Sequence, residues 1–168
     1  MVAPPIVKMS RRAPLRSHSV RRKRRFSIVA SRFNERYVSG LIEHARKELN
    51  LLSPNAAISI HHVPGAFEIP IVVRELALQK KVDAILALGV ILEGKTSHAE
   101  HLACSVTDAL QQIAIIHGTP VINAVLSVKN EKQAHERCLG SKINRGTEAA
   151  LAAVEIADRL KELRAKSR

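Results

Sequence analysis

The segment Gly94-Lys95-Thr96-Ser97-His98 brings a residue without a side chain, a cation, two hydroxyls and an imidazole into five positions. Glycine lets the main chain approach a ligand closely. Thr96 and Ser97 suit the N-cap of a helix, where free amides and the positive end of the dipole face outward. A phosphate-sized anion fits such an arrangement, with Lys95 adding charge. A capped helix with an exposed lysine explains the same residues equally well. His98 falls on the first helical turn as a proton donor and acceptor. The long glycine-rich loop of a nucleotide-binding P-loop is missing. His98, His101 and Cys104 share one helix face, yet no second ligand cluster accompanies them. Packing is the simpler role for His101 and Cys104, and no metal is expected.

A second stretch, Val63-Pro64-Gly65-Ala66-Phe67-Glu68-Ile69-Pro70, sets an aromatic ring and a carboxylate beside exposed amides at a helix start. Amides and a carboxylate together suit a polyhydroxyl ligand, which both donates and accepts. Core packing by Phe67 and a plain helix-start charge at Glu68 are the competing roles. A third stretch, Arg32-Phe33-Asn34, follows an apolar run, and its ring can stack on a planar heterocycle or simply pack. The chain has only four aromatics, Phe26, Phe33, Tyr37 and Phe67, so Ala, Val, Ile and Leu must build its core.

These stretches sit between segments of alternating type. Phe26–Ser31, Ala57–Val63, Ala84–Val90 and Pro120–Val128 are short apolar runs that read as strands. Helical spacing recurs through Val38–Leu49, 67–79 with Pro70 in its first turn, Ser97–His117, Asn130–Cys138 and Thr147–Lys166. Strands apolar on both sides, each followed by a helix, predict a three-layer α/β/α sandwich with a four-stranded parallel sheet in flavodoxin-like order. Ligands of such sheets collect beyond the carboxyl ends of the strands. That is where the three stretches fall.

The net charge of +12 on 168 residues is unevenly placed. Nine of the 27 basic residues lie within 1–25, which holds no acidic residue; the other 18 face 15 acids, so the remainder is near neutral. Residues 1–25 read as a solvated, disordered tail, with polyanion contact as its alternative role and organelle targeting as a lesser one. Residues 26–168 read as the folded domain. No apolar run reaches the ~20 residues needed to span a bilayer. Two cysteines, Cys104 and Cys138, are too few for a disulfide framework; each is expected as a small buried residue, in keeping with a reducing cytoplasm.

Together the motifs resemble the lumazine synthase family over roughly Phe26 to Leu160. The resemblance rests on Arg32-Phe33-Asn34, the intact Val63–Pro70 turn, the Gly94–His98 loop, Gln133-Ala134-His135-Glu136-Arg137 and Asn144-Arg145-Gly146-Thr147-Glu148-Ala149-Ala150. It implies a transferase that condenses 5-amino-6-(D-ribitylamino)uracil with 3,4-dihydroxy-2-butanone 4-phosphate through an imine, phosphate elimination and ring closure, without a cofactor. By the same resemblance Phe33 would stack on the pyrimidine, Ala66, Phe67 and Glu68 would hold the ribityl chain, and Val90, Ile91 and Leu92 would meet the pyrimidine edge. Lys95, Thr96 and Arg137 would bind phosphate, and His98 would move protons. Family members are pentamers, some closing into sixty-subunit shells, and Arg137 and Asn123 would then come from the adjacent chain.

The chain departs from the family pattern at several positions. Asn123 replaces a common aromatic, Glu93 a basic residue, Ser97 a proline and Arg145 a lysine, while Lys95 stands where many relatives have a small or acidic residue. Two other readings compete: a flavin- or lumazine-binding module without turnover, and a nucleic-acid-binding protein working through its basic tail.

Overall fold

The run AILALGVIL, Ala84–Leu92, contains no polar side chain, and eight of its nine residues are buried. A strand of this kind must be covered on both faces. The computed structural model, which describes residues 23–94 and 96–166, places it inside a four-stranded, all-parallel sheet. In chain order the elements are β1 (Arg25–Ser31), α1 (Glu35–Leu52), β2 (Ala57–Val63), a 3₁₀ turn (Ala66–Glu68), α2 (Ile69–Leu78), β3 (Ala84–Leu92), α3 (His98–His117), β4 (Val121–Val128), α4 (Glu131–Cys138) and α5 (Arg145–Lys166). The strand order is β2-β1-β3-β4. This is the expected three-layer sandwich with flavodoxin-like order.

The period of two along each strand sorts side chains into two cores. Phe26, Ile28 and Ala30 of β1, with Leu86, Leu88 and Val90 of β3, pack against α1, α4 and α5 through Leu41, Leu49, Ala134, Cys138 and Ala150. Val29, Ile85, Ala87 and Ile91 point the other way, onto Val73 and Ala77 of α2 and Val106 and Leu110 of α3. Tyr37 joins Phe26 in the first core, and desolvation raises its phenol pKa. Two of the four aromatics are thus spent on packing.

Several expectations shift. Both-sided burial holds for β1 and β3, whereas the edge strands β2 and β4 are only partly covered. β3 runs two residues beyond Val90 because Ile91 and Leu92 pair with Ser127 and Val128. The helix expected over 67–79 begins as a 3₁₀ turn and becomes α-helical at Ile69, with Pro70 still in its first turn. α5 starts at Arg145, two residues early. β1 starts at Arg25, and Arg24 forms an ion pair with Asp158 of α5, so the end of the basic segment belongs to the folded body. Residues 1–22 lie outside those described.

The two cysteines diverge. Cys138 is buried, and desolvation pushes its thiol up to about 11, with the Arg137 charge opposing the rise. Cys104 is exposed, contrary to expectation, and so is His101. The reason is geometric: α3 buries one stripe, Ala99, Val106, Leu110 and Ile113, and neither residue lies on it. Among the described residues no helix is long and apolar enough to cross a membrane.

Candidate active site

Sheet order creates the crevice. From β1 the chain leaves toward the layer of α1, and from β3 toward the layer of α3, so the loops after these adjacent strands diverge. Divergence of neighbouring loops at the carboxyl ends of strands opens a ligand-sized gap. The loop after β1 contains Phe33 and that after β3 leads directly into His98, while the turn after β2 borders the same rim.

Hydrogen bonds stitch these segments together. The Arg32 amide donates to the Val63 carbonyl (2.8 Å) and the Phe33 amide to the Pro64 carbonyl (3.1 Å). Asn34 adopts a left-handed backbone, φ 58°, which asparagine tolerates better than most residues. Its side-chain amide donates to the Val90 carbonyl (2.8 Å), tying the β1 loop to the end of β3. That carbonyl, expected at the pyrimidine edge, is therefore already engaged by Asn34. Phe33, held on both sides, projects outward and is 71% exposed.

The turn after β2 is equally fixed. One carboxylate oxygen of Glu68, Oε2, accepts from the Gly65 amide (2.8 Å) and closes the 3₁₀ turn as half of a capping box. The remaining carboxylate oxygen is available for ligand hydroxyls. Phe67 is 66% exposed while its neighbours Ala66 and Ile69 are buried, so the turn anchors itself with small and aliphatic residues and displays the ring. Ala66 shares an apolar cluster with Ala99 of α3, and the turn packs against that helix. His98, the first residue of α3, is exposed beside it.

Ser97 caps α3 in position but makes no side-chain cap hydrogen bond, so the expected hydroxyl cap is absent. A Cβ added at Gly94 would meet nothing within 4 Å. Internal packing thus gives no reason for glycine there. Thr96 is exposed beside it. Lys95, expected at the phosphate, lies outside the described residues.

Asn123 and Arg137 occupy another surface. Both line a groove of about 440 Å³ along the free edge of β4, together with Ser127, Arg145 and Glu148. None of Phe33, Phe67, Glu68, Thr96 or His98 lines it. Asn123 pairs in register with Ala87, three residues before the rim at Val90, and its amide turns to Thr107 Oγ1 of α3 (3.1 Å). Arg145 is ion-paired with Glu148, whereas Arg137 has no acidic partner among the described residues.

A larger cavity, about 670 Å³, opens at the opposite end of the sheet and is lined by Arg24, Lys80, Asp83, Lys161 and Arg164. Three of its basic groups have structural duties, Arg24 through its ion pair with Asp158. Lys80 Nζ and Arg164 donate to the carbonyls of His117 and Gly118 at the end of α3, countering the negative end of its dipole.

Sequence reasoning thus located the rim residues but assigned no role to Asn34, Arg145, Glu148 or Asn144. Asn34 and Asn144 stood inside motifs, and a short polar residue next to a helix start was the only local hint of their bonding.

The family model for 6,7-dimethyl-8-ribityllumazine synthase matches residues 23–161. A protein of that name from Stenotrophomonas maltophilia (strain R551-3) is 40% identical over 141 residues, covering 83% of this chain and 90% of its own. One from Halorhodospira halophila is 37% identical over 142 residues, 84% and 91% of the two chains. One from Xanthomonas euvesicatoria pv. vesicatoria is 41% identical over 134 residues, 79% and 86% of the two chains.

Proposed function

The chain belongs to the 6,7-dimethyl-8-ribityllumazine synthase family, and on that premise we propose that it condenses 5-amino-6-(D-ribitylamino)uracil with 3,4-dihydroxy-2-butanone 4-phosphate in riboflavin biosynthesis, releasing phosphate and water. The observation that carries this reading is the fate of the four aromatics. Two are buried, and the other two, Phe33 and Phe67, stand exposed on joined loops at the switch point of the sheet. A chain so poor in aromatics gains no stability from leaving two in water, whereas a flat ring and its chain find a wall there.

In this reading Phe33 stacks on the pyrimidine, and the ribityl chain lies along Ala66, Phe67 and Glu68, with the second carboxylate oxygen of Glu68 accepting hydrogen bonds from its hydroxyls. Backbone groups of Val90, Ile91 and Leu92 meet the pyrimidine edge. The amine attacks the ketone carbonyl, and His98 carries protons through imine formation and phosphate loss. Thr96, with Lys95, and the guanidinium of Arg137 hold the phosphate, the latter in a two-pronged contact. General acid–base help is typically worth ~10²–10⁴-fold, and the low end is expected because an aromatic amine and an activated ketone already react. Holding both substrates together supplies much of the rest.

The protein acts as a homo-oligomer, a pentamer or a sixty-subunit shell built from pentamers, in which Asn123 and Arg137 of one subunit complete the rim of the next. Supporting this, Ile71 on α2 and Ile115 and Ile116 on α3 are large apolar residues left exposed on the single chain. The cytoplasm is its compartment, and the basic residues of 1–25 that are not committed to the fold offer a polyanion contact separate from catalysis.

Purified protein given both substrates without added metal should generate lumazine absorbance, with a mass measured on the same sample matching a multiple of five chains. A rate equal to the enzyme-free background would defeat the catalytic reading in favour of a binding module.

A further inference from the structure

We propose that Asn144 is a positioning residue for the phosphate substrate, locking the end of α4 to the start of α5 so that Arg137 is held at a fixed place in the β4 groove. The proposal rests on the reading above that Arg137 binds phosphate.

Asn144 is 6% exposed, one of few polar side chains in the interior. Its amide group donates to the Cys138 carbonyl (2.8 Å) and to the Gly140 carbonyl (3.1 Å). Its Oδ1 accepts from the amides of Gly146 (2.9 Å) and Thr147 (3.3 Å). A side-chain amide has two donor hydrogens and an oxygen with two lone pairs, and here all are used. A helix cap needs only the oxygen, and serine or aspartate would serve equally well. The nitrogen's two bonds run backward to α4 and its exit, which capping α5 does not require.

The surrounding backbone is built for this junction. A Cβ at Gly40 of α1 would lie 2.3 Å from Leu139 Cδ2 and 2.7 Å from the Cys138 carbonyl, and one at Gly146 would lie 2.3 Å from the Leu41 carbonyl. Both ends of the junction are thus pressed onto α1. α4 has eight residues, too few to be rigid alone, and its core anchors are Ala134 and Cys138. Arg137 directly precedes Cys138, and Arg145 directly follows Asn144. A pivot of the last turn of α4 therefore moves one guanidinium of the groove relative to the other. Misplacement by about 1 Å at a reacting site costs on the order of 10²-fold in rate.

The test compares Asn144→Ser, Asn144→Asp, Arg137→Ala and the Asn144→Ser/Arg137→Ala double variant in the full-length protein. Steady-state kinetics give KM for each substrate, titration calorimetry gives Kd for inorganic phosphate, and thermal melts report stability. Serine and aspartate both keep the cap acceptor, and aspartate also keeps the shape, while each loses the paired donation to Cys138 and Gly140. Asn144→Ser should melt within a few degrees of wild type and Asn144→Asp lower, because its second carboxylate oxygen faces the Cys138 and Gly140 carbonyls; binding and kinetics are read well below both transitions. In each, KM for the phosphorylated ketone and Kd for phosphate should rise about tenfold, with KM for the pyrimidine within about twofold, and the double variant should bind phosphate no worse than Arg137→Ala. Wild-type phosphate affinity in both Asn144 variants, or an equal rise in KM for both substrates, or additive loss in the double variant, overturns the proposal while leaving Arg137 in its role. Unchanged phosphate affinity in Arg137→Ala overturns the Arg137 assignment, and the proposal with it.

Discussion

Replacing Phe33 by alanine separates stacking from packing because the structure assigns the two roles different magnitudes. Phe33 is 71% exposed, so under a third of its surface contributes to folding. Full burial of a phenylalanine side chain is worth about 1.5–3 kcal/mol, and that fraction comes to less than about 1 kcal/mol. Stacking of a heterocyclic base on an aromatic ring is worth about 1–3 kcal/mol. At about 1.4 kcal/mol per factor of ten, its loss weakens pyrimidine binding about 5- to 150-fold. The Phe33→Ala protein should therefore unfold at nearly the wild-type urea midpoint, show a Kd for the pyrimidine raised by that range in calorimetry, and keep its affinity for inorganic phosphate. Phe33→Leu, which keeps apolar area but lacks a planar face, should fall between the two. If Phe33→Ala lost 2 kcal/mol or more of stability and still bound the pyrimidine normally, Phe33 would be a packing residue and the site would have to lie elsewhere.

Two further outcomes follow from the same geometry. His98→Ala should lower kcat toward the low end of the ~10²–10⁴-fold range for general acid–base groups while leaving the pyrimidine Kd within about twofold; unchanged turnover removes His98 from proton transfer. Cys138 has a folded pKa raised by burial from 9.0 to about 11, so it contributes stability that is fully present below pH 9 and is lost as pH rises through about 11. The loss is about 2–3 kcal/mol, and urea midpoints of wild type against Cys138→Ala across that interval should converge as pH rises; parallel curves would show that the thiol titrates alike in both states.

Burial from both sides made β1 and β3 legible, since a strand with no polar face admits little else. The edges were harder. β2 and β4 mix apolar residues with Ser59, His61 and His62 or with Asn123 and Ser127, yet only pairing decides that they flank the sheet, with Asn123 of β4 exposed. The end of β3 was lost because Ile91-Leu92 runs into Glu93-Gly94, and only pairing with Ser127 and Val128 makes it a strand. The rim was legible because its residues are contiguous in three short stretches, each placed by one strand end. Its internal ties were not: the left-handed turn of Asn34, its reach to Val90, and the commitment of one Glu68 oxygen to Gly65 are contacts that spacing does not encode. The expectation of burial failed at Cys104 because helical spacing fixes which residues share a face and leaves open which face turns inward.

The division of the site also constrains assembly. Phe33, Phe67, Glu68 and His98 stand at the carboxyl rim, while Asn123 and Arg137 stand along the β4 edge, lining a groove that none of the first group reaches. If one reaction needs both groups, the rim of one chain must meet the groove of another, and unlike surfaces joined head to tail close into a ring or grow as a filament. A closed ring gives every subunit one complete site and leaves no unfilled rim. Mixing Phe33→Ala chains with Arg137→Ala chains then has a defined outcome. Each parent carries a defect in every site, but a mixed ring contains junctions where the intact rim of one variant meets the intact groove of the other. Activity should rise on co-assembly above either parent, and a mixture no more active than its parents would return the whole site to a single chain.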